Sequence, residues 1–294
     1  MKWKTKITEL VGCRYPIILG AIGGKNNTKL TAAVSKAGGF GILTGSYFRN
    51  EEKFRKALLE IKNCTNNGFG VNFSPAGPMN FQKSLSKMFN QYLEIAYEED
   101  INTIVTAGAR YEEFSKKIKE YGINWIHKAT TIKHAINGEK NGADAIILTG
   151  LEGGGFKNPK QNTFFINMVN ADRILKTPII ASGGISNGKG MLMALVSGAQ
   201  AVHLCTAFLA TEESPVANTW KQNIIDADCF DPEFVNTVCH FDSEKPKLNP
   251  VSLAAGTVDK VISAEQLIKN IMMEADIILK NLGFQGEIID FTKL

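Results

Sequence analysis

The 294-residue chain lacks most of the features that would place it outside the ordinary enzymes. It has no run of about 18 apolar residues, and its first residues, MKWKTKITELVG, are polar and mixed. Neither secretion nor a membrane is therefore expected, and a cytoplasmic protein is. An excess of one charge is also missing, with 33 basic against 29 acidic residues and no dense Lys/Arg stripe interleaved with aromatics, so a nucleic-acid surface is not expected. The five cysteines, Cys13, Cys64, Cys205, Cys229 and Cys239, are scattered without a CxxC pair. They read as reduced thiols, and no metal site is expected from them. No repeat, low-complexity tract or linker divides the chain before Ala210.

What is present is an alternation of short apolar runs with amphipathic segments. The stretch 177–210, TPIIASGGISNGKGMLMALVSGAQAVHLCTAFLA, holds two apolar runs around a helical segment at 188–197, with Gly183 and Gly184 after the first run. Such a strand, glycine turn and helix can present backbone N–H groups to an anion, because glycine lets a ligand approach closely and a helix N-terminus favours negative charge. Six more apolar runs precede it, at 16–19, 40–43, 69–73, 101–106, 124–127 and 144–148. Each is followed by a helical pattern, at 30–37, 51–62, 80–97, 111–121, 132–141 and 164–175. Eight strands, each followed by a helix, predict parallel pairing with right-handed crossovers, hence a (β/α)8 TIM barrel. A doubly wound open sheet is the alternative. Residues 211–250 are rich in Pro and Asp and read as an irregular insertion or cap over the barrel mouth, before a last helix at 264–281. The predicted barrel thus spans 1–210 and 251–294, and the cap 211–250.

Active groups of such barrels lie at the C-terminal ends of the strands. The candidates by position are the loop 20–24, Asn72, Thr106 to Gly108, His127 and Lys128, Glu152 to Phe156, Ser182 to Gly184, and His203 to Thr206. Lys128 can pair with a phosphate or with negative charge on a reduced ring, or stand as an exposed lysine at a strand end. Asn72 can orient a ligand by hydrogen bonding or anchor a loop. Glu152 heads three glycines and can take ligand hydroxyls, act as a base, or pair with Lys128. His203 alternates within strand 8 so that it points inward, although a lone His in an apolar strand is more often a satisfied core residue. His134 and His240 look like surface groups. At this level a phosphate-binding isomerase or lyase without flavin fits as well as a redox enzyme.

Several motifs narrow this. YPIILGAIGG, AVSKAGGFGIL, FGVNF, INWIHKATTIKHA, GADAIILTGLEGGG, TPIIASGGISNGKGMLMALVSGAQAV, TAFLATEESP and SLAAGTVDKV follow one another in order over nearly the whole barrel. Together they resemble the nitronate monooxygenase family (formerly 2-nitropropane dioxygenase) of FMN-dependent barrels, whose superfamily includes flavin-type enoyl-acyl-carrier-protein reductases and NADH:quinone reductases. The resemblance implies FMN across the mouth, a small-molecule substrate, and room for NAD(P)H as electron donor and for a homodimer. It places Gly183, Gly184, Cys205 and Thr206 at the FMN phosphate, with Ser182 beside them. Ala21, Ile22, Gly23 and Asn72 would lie along the isoalloxazine ring, and Lys128 at the ribityl or pyrimidine side. Glu152, Gly154 and Gly155 would line the ribityl and substrate side.

The departures bear on the chemistry. Where the family usually reads Gly-Gly-His, with the His as catalytic acid or base, this chain reads Gly154-Gly155-Phe156; Phe156 cannot transfer a proton. The usual strand-8 Gln or Asn is His203, Gly-Thr-Arg-Phe is Cys205-Thr206-Ala207-Phe208, and the usual Gln and Met of the first strand are Leu19 and Ile22. The resemblance implies an FMN-dependent oxidoreductase that oxidises a nitronate or similar small activated substrate with O2. An ionised nitronate needs no base, so that reaction survives Phe156. The alternatives are an NAD(P)H-dependent reductase acting on a quinone or activated alkene, with His203 or Tyr47 as proton donor, and a flavin-binding relative that has lost catalysis. Catalytic candidates are His203, Glu152 and position 156.

Overall fold

The computed structural model describes residues 1–23, 25–74, 79–108, 111–155, 157–158, 160–240 and 251–293, with the backbone alone for 79–86. Eight strands make one sheet, β1 Ile17–Leu19, β2 Gly41–Thr44, β3 Phe69–Phe73, β4 Thr103–Ala107, β5 Asn124–Ala129, β6 Ala145–Thr149, β7 Ile179–Ser182 and β8 Ala201–Leu204. Every neighbouring pair is parallel, and β8 pairs with β1 through Ile17↔Val202 to Leu19↔Leu204. The remaining seam closes at a parallel bridge between Ile18 and Phe40, where the Phe40 N–H donates to Ile17 O at 2.8 Å and the Leu19 N–H to Phe40 O at 2.9 Å. The predicted (β/α)8 barrel is the fold.

Apolar residues at alternate strand positions build two separate cores. Ile18, Phe40, Ile42, Val105, Ile126, Ala145, Ile147, Ile180 and Ala201 fill the barrel interior, while the intervening side chains pack outward under the helices. This period-2 division is why a run such as Asn124–Ala129 is apolar on both faces. It also fixes which groups reach the mouth, because a residue two beyond an interior position points inward too. Lys128 follows Ile126 and His203 follows Ala201 on that rule, whereas His127 faces the helices.

The terminal segments were not anticipated. Lys2–Lys4 pairs in parallel with Ile288–Asp290, and Trp3 stacks on Phe291 with centroids 6.1 Å apart. Helix Lys6–Val11 then sends Ile7 and Val11 into the interior cluster, plugging the end of the barrel opposite the mouth. A capping box starts this helix, with Thr8 N–H to Thr5 Oγ1 at 3.0 Å and Thr5 N–H to Thr8 Oγ1 at 2.9 Å.

The segment 211–250, expected to be irregular, carries two helices among its described residues, Asn218–Ile225 and Pro232–Cys239. The second begins with Asp231 as N-cap and Pro232 in its first turn, the arrangement that suits a missing N–H and a fixed φ. The segment is tied back at its start and near its middle: Thr211 bridges Ile262, and Cys229 packs so closely on the turn Leu253–Thr257 that a Cβ on Gly256 would stand 2.3 Å from its Cβ. No described helix is long and apolar enough to cross a membrane.

Candidate active site

The mouth is lined where β1 to β8 end. The glycine loop after β1 is held from below: buried Asn27 donates to Ile42 O at 2.8 Å and accepts from Thr44 N–H at 2.9 Å, and Thr44 Oγ1 accepts the Ile22 N–H at 3.0 Å. Ala21 and Ile22 are thereby fixed at the rim, and Ala21 O lies 3.7 Å from Cys205 Sγ across the β1–β8 seam. Gly23 is exposed and crowds nothing, and Gly24 falls outside the described residues. On β3, buried Asn72 accepts from Ser74 Oγ at 2.8 Å and donates weakly to Val105 O at 3.4 Å.

On the far side, β6, β7 and β8 bring together Thr149, Ser182 and His203, neighbours by register in consecutive pairs. Ser182 Oγ and His203 Nδ1 lie 3.0 Å apart, both buried. Burial, reinforced by the Lys128 charge, holds the His203 imidazole well below its ordinary range, so it is neutral at physiological pH. Thr149 Oγ1 is buried and has no partner among the described residues. Lys128, Cys205 and His203 share one electrostatic neighbourhood: burial lowers the lysine's proton affinity, while burial raises that of the Cys205 thiol and the lysine opposes that rise.

The glycine turn after β7 sits against the loop after β6. Gly183 has φ of +104° and Gly184 of +72°, and a Cβ on Gly183 would lie 3.0 Å from Gly153 N and 3.1 Å from Gly150 O. A side chain fits there poorly, so the backbone approach of the two loops depends on glycine. The β6 loop is pinned by residues that sequence reading passed over. Gln161 Nε2 donates to Thr149 O and Gly150 O at 3.1 and 3.0 Å, Asn167 Nδ2 reaches Thr149 O at 3.4 Å, and the Lys157 ammonium donates to Leu151 O and Gly153 O. Only the polar residues clustered just after a glycine run hinted at them.

Other candidates fall into supporting roles. Glu152 Oε2 accepts the Phe164 N–H at 2.7 Å, capping helix Phe164–Ile174 in place of Thr163, whose side chain makes no cap bond. Its main-chain O takes the Leu253 N–H at 3.0 Å. That carboxylate therefore fixes the loop rather than pairing with Lys128 in an ion bridge. Thr206 Oγ1 accepts from both Ser252 N and Ser252 Oγ at 2.9 Å, which brings the SLAAGTV segment to the mouth. Gly154 and Gly155 are half-buried beside it, with Gly155 at φ +97°. Phe156 lies outside the described residues. Tyr47 is 41% exposed in the turn Gly45–Tyr47, with its ring edge-on to Phe48. His240 is exposed, and His134 is half-buried rather than on the surface.

His127 is structural. Its Nδ1 lies 2.9 Å from Thr106 Oγ1, which also accepts from Trp125 Nε1 at 2.8 Å. Burial first, and the His134 charge second, push the imidazole down to about 4 from 6.5. Above pH 6.5 folded and unfolded chains both hold it neutral, so its contribution is intact. Between 6.5 and 4 the unfolded chain takes up a proton that the folded chain refuses, and about 3 kcal/mol of stability is lost across that window. Urea unfolding at pH 7.5 and 4.5 should show His127→Gln losing less stability on acidification than the wild type; equal losses would place the titration elsewhere.

A cavity of about 440 Å³ opens at the opposite end of the barrel, lined by Arg14, Lys36, Gly38 and Asn67 among others. It is remote from the strand C-termini, and the Cys13 thiol on its wall is kept protonated by burial, pushed up to about 12, with Sγ donating to Tyr15 O at 3.0 Å.

Fold and mouth together define a (β/α)8 barrel whose strand ends gather two glycine turns, an orphaned hydroxyl and a half-buried lysine. Residues 4–240 match the family model described as nitronate monooxygenase, and the chain belongs to that family. It is accordingly an oxidoreductase of a flavin-enzyme family. A probable nitronate monooxygenase of Staphylococcus aureus (strain MSSA476) is 29% identical in an alignment covering 76% of this chain and 73% of that one. Among solved structures, FabK from Thermotoga maritima superposes with a TM-score of 0.81 at 27% identity, covering 95% of this chain and 98% of its own. A nitroalkane oxidase from Streptomyces ansochromogenes shares the fold, with a TM-score of 0.75 at 19% identity over 94% of this chain and 100% of that one.

Proposed function

We propose that the chain is an FMN-dependent oxidoreductase that oxidises a nitronate, or a similarly small activated anion, with O2. The observation that carries this is the Gly183–Gly184 turn lying against Gly153, next to the unpartnered Thr149 hydroxyl. A Cβ on Gly183 would force the two loops apart, and the buried hydroxyl calls for a polar ligand atom. The residues fit FMN: backbone amides of Gly183, Gly184, Cys205 and Thr206 suit its phosphate, in the place where barrels commonly bind one. Ala21, Ile22 and Asn72 suit the flat ring, and Lys128 brings positive charge to the ribityl or pyrimidine side. When bound, FMN supplies two-electron redox chemistry between the organic substrate and O2.

The protein's own groups define the rest. Neutral His203, with Nδ1 engaged by Ser182, is suited to orient a ligand by hydrogen bonding. Glu152, Gln161, Asn167 and Lys157 hold the β6 loop in shape, and the cap helix Pro232–Cys239 ends within electrostatic reach of Lys157 and Glu152. No strong base is placed among the described mouth residues, which matches a substrate that arrives already ionised.

The likeness to FabK supports a second reading, an NAD(P)H-dependent reductase acting on an activated alkene or quinone. Anaerobic flavin bleaching separates the two. An alkyl nitronate should bleach the flavin and NADH or NADPH should not. Rapid bleaching by a nicotinamide would establish the reductase instead, and indifference to every donor would mark a binding protein without turnover.

A further inference from the structure

Deepening that reading, and resting on it for the place of the flavin, we infer that Ser252 is a positioning residue for the cofactor phosphate, holding the Thr206 hydroxyl as a donor to a phosphate oxygen. A threonine hydroxyl has two acceptor lone pairs and one proton. The Ser252 N–H and the Ser252 Oγ–H both donate to Thr206 Oγ1, each at 2.9 Å, which fills both lone pairs. Ser252 Oγ in turn accepts the Ala254 N–H at 3.3 Å. The Thr206 proton is left over, with no acceptor among the described residues although both side chains are buried. Reversing the bond between the hydroxyls moves the surplus proton to Ser252 without removing it, since two protons share one internal bond.

A second pair of hydroxyls on the same turn has a closed count. Ser186 Oγ pairs with Thr257 Oγ1, and Thr257 gives its own proton to Ala254 O at 2.9 Å. Ser186 can then donate to Thr257, so both protons find acceptors inside the protein. That pair ties the β7 loop to the turn Leu253–Thr257 and asks for no ligand. The pair of Thr206 and Ser252 uses the same residue types on the same turn and leaves one donor open.

The place of that donor and its strength both suit a phosphate. Thr206 stands two residues beyond Leu204, where β8 ends, and β8 pairs with β7, whose own end runs into Gly183 and Gly184. Barrels commonly hold a phosphate between these two loops. A buried donor without an acceptor is costly, and a charged oxygen is the acceptor that relieves it most, because hydrogen bonds to ionised groups are roughly twice as strong as neutral ones. With both lone pairs filled, the Thr206 hydroxyl cannot turn its proton back on Ser252, and hydroxyls joined in a chain polarise one another. Ser252 is itself fixed in place: the Leu253 N–H donates to Glu152 O at 3.0 Å, so loops after β6, β7 and β8 all grip this one turn.

The test titrates the full chain, stripped of any flavin, with FMN and riboflavin by fluorescence and with inorganic phosphate by phosphorus NMR. Ser252→Ala should weaken FMN roughly fivefold and Thr206→Val about thirtyfold, both sparing riboflavin, which has no phosphate. Thr206→Ser keeps the hydroxyl and should stay within about threefold of the wild type. The double variant should bind FMN no more weakly than Thr206→Val alone, since a residue that works only through Thr206 then has nothing to act on. Unchanged FMN binding in Ser252→Ala, or equal loss of FMN and riboflavin, would reduce Ser252 to a cap of its own turn and overturn the assignment. Further loss in the double variant would put Ser252 on the ligand itself and overturn it too. A wild type that binds phosphate through Ser252 but neither flavin would sink the flavin reading and leave this one standing; one that binds neither phosphate nor flavin would end both.

Discussion

Gly183→Val should be purified as a folded barrel with its flavin largely lost. The position has φ of +104°, a conformation a β-branched side chain adopts only under strain of roughly 1–3 kcal/mol. The added Cβ would also press on Gly153 N and Gly150 O, at 3.0 and 3.1 Å. Both penalties fall on the contact between two loops at the mouth and not on the barrel interior, which is built from Ile18, Ile42, Val105, Ile126, Ile147 and Ile180. The expected result is unchanged far-UV circular dichroism with flavin occupancy well below one per chain. Stoichiometric flavin in a folded variant would place the phosphate elsewhere.

The largest gain is expected at Phe156→His. A neutral nitroalkane must lose a C–H proton before it can be oxidised, and general base catalysis typically contributes about 10² to 10⁴ in rate. Restoring the family's usual Gly-Gly-His at Gly154-Gly155-Phe156 should raise turnover of neutral nitroalkanes toward that range and leave the pre-formed nitronate little affected. The split between the two substrates is the diagnostic. If neither rate moves while fold and flavin persist, position 156 is not the family's catalytic position. A parallel rise in both would point to substrate access rather than proton abstraction.

Much of the barrel was legible because a parallel strand buried on both faces leaves an uninterrupted apolar run between glycine turns. Phe69–Phe73, Ala201–Leu204 and the last helix Ala264–Asn281 fall where the pattern puts them. The strand ending at Ala107 begins two residues later than its apolar run, since Ile101 packs in the core without pairing. Lys2–Lys4 carries no such pattern: it is three residues long, two of them Lys, and its partner strand Ile288–Asp290 lies at the other end of the chain. The helix Pro232–Cys239 had a readable start, Asp231 followed by Pro232, but it is only eight residues long.

The candidate site divides in the same way. Residues that are candidates through their position at strand ends, such as Lys128, Ser182, Gly183 and His203, could be listed from the count of strands. Residues that serve through a partner could not. That Glu152 caps a helix 12 residues onward, that Thr206 is held by Ser252, and that Lys157 clasps the loop before it are facts of tertiary contact. A carboxylate beside three glycines looks the same in sequence whether it meets a substrate or a helix N-terminus.

The measurement closest to the central claim is the identity and stoichiometry of the chromophore released from the purified protein by heat. The account predicts FMN, close to one per chain, and reconstitution of the stripped protein by FMN in preference to riboflavin, which lacks the phosphate that Gly183 and Gly184 would hold. A colourless protein that takes up neither would contradict it and return the barrel to the phosphate-binding isomerases or lyases that need no flavin.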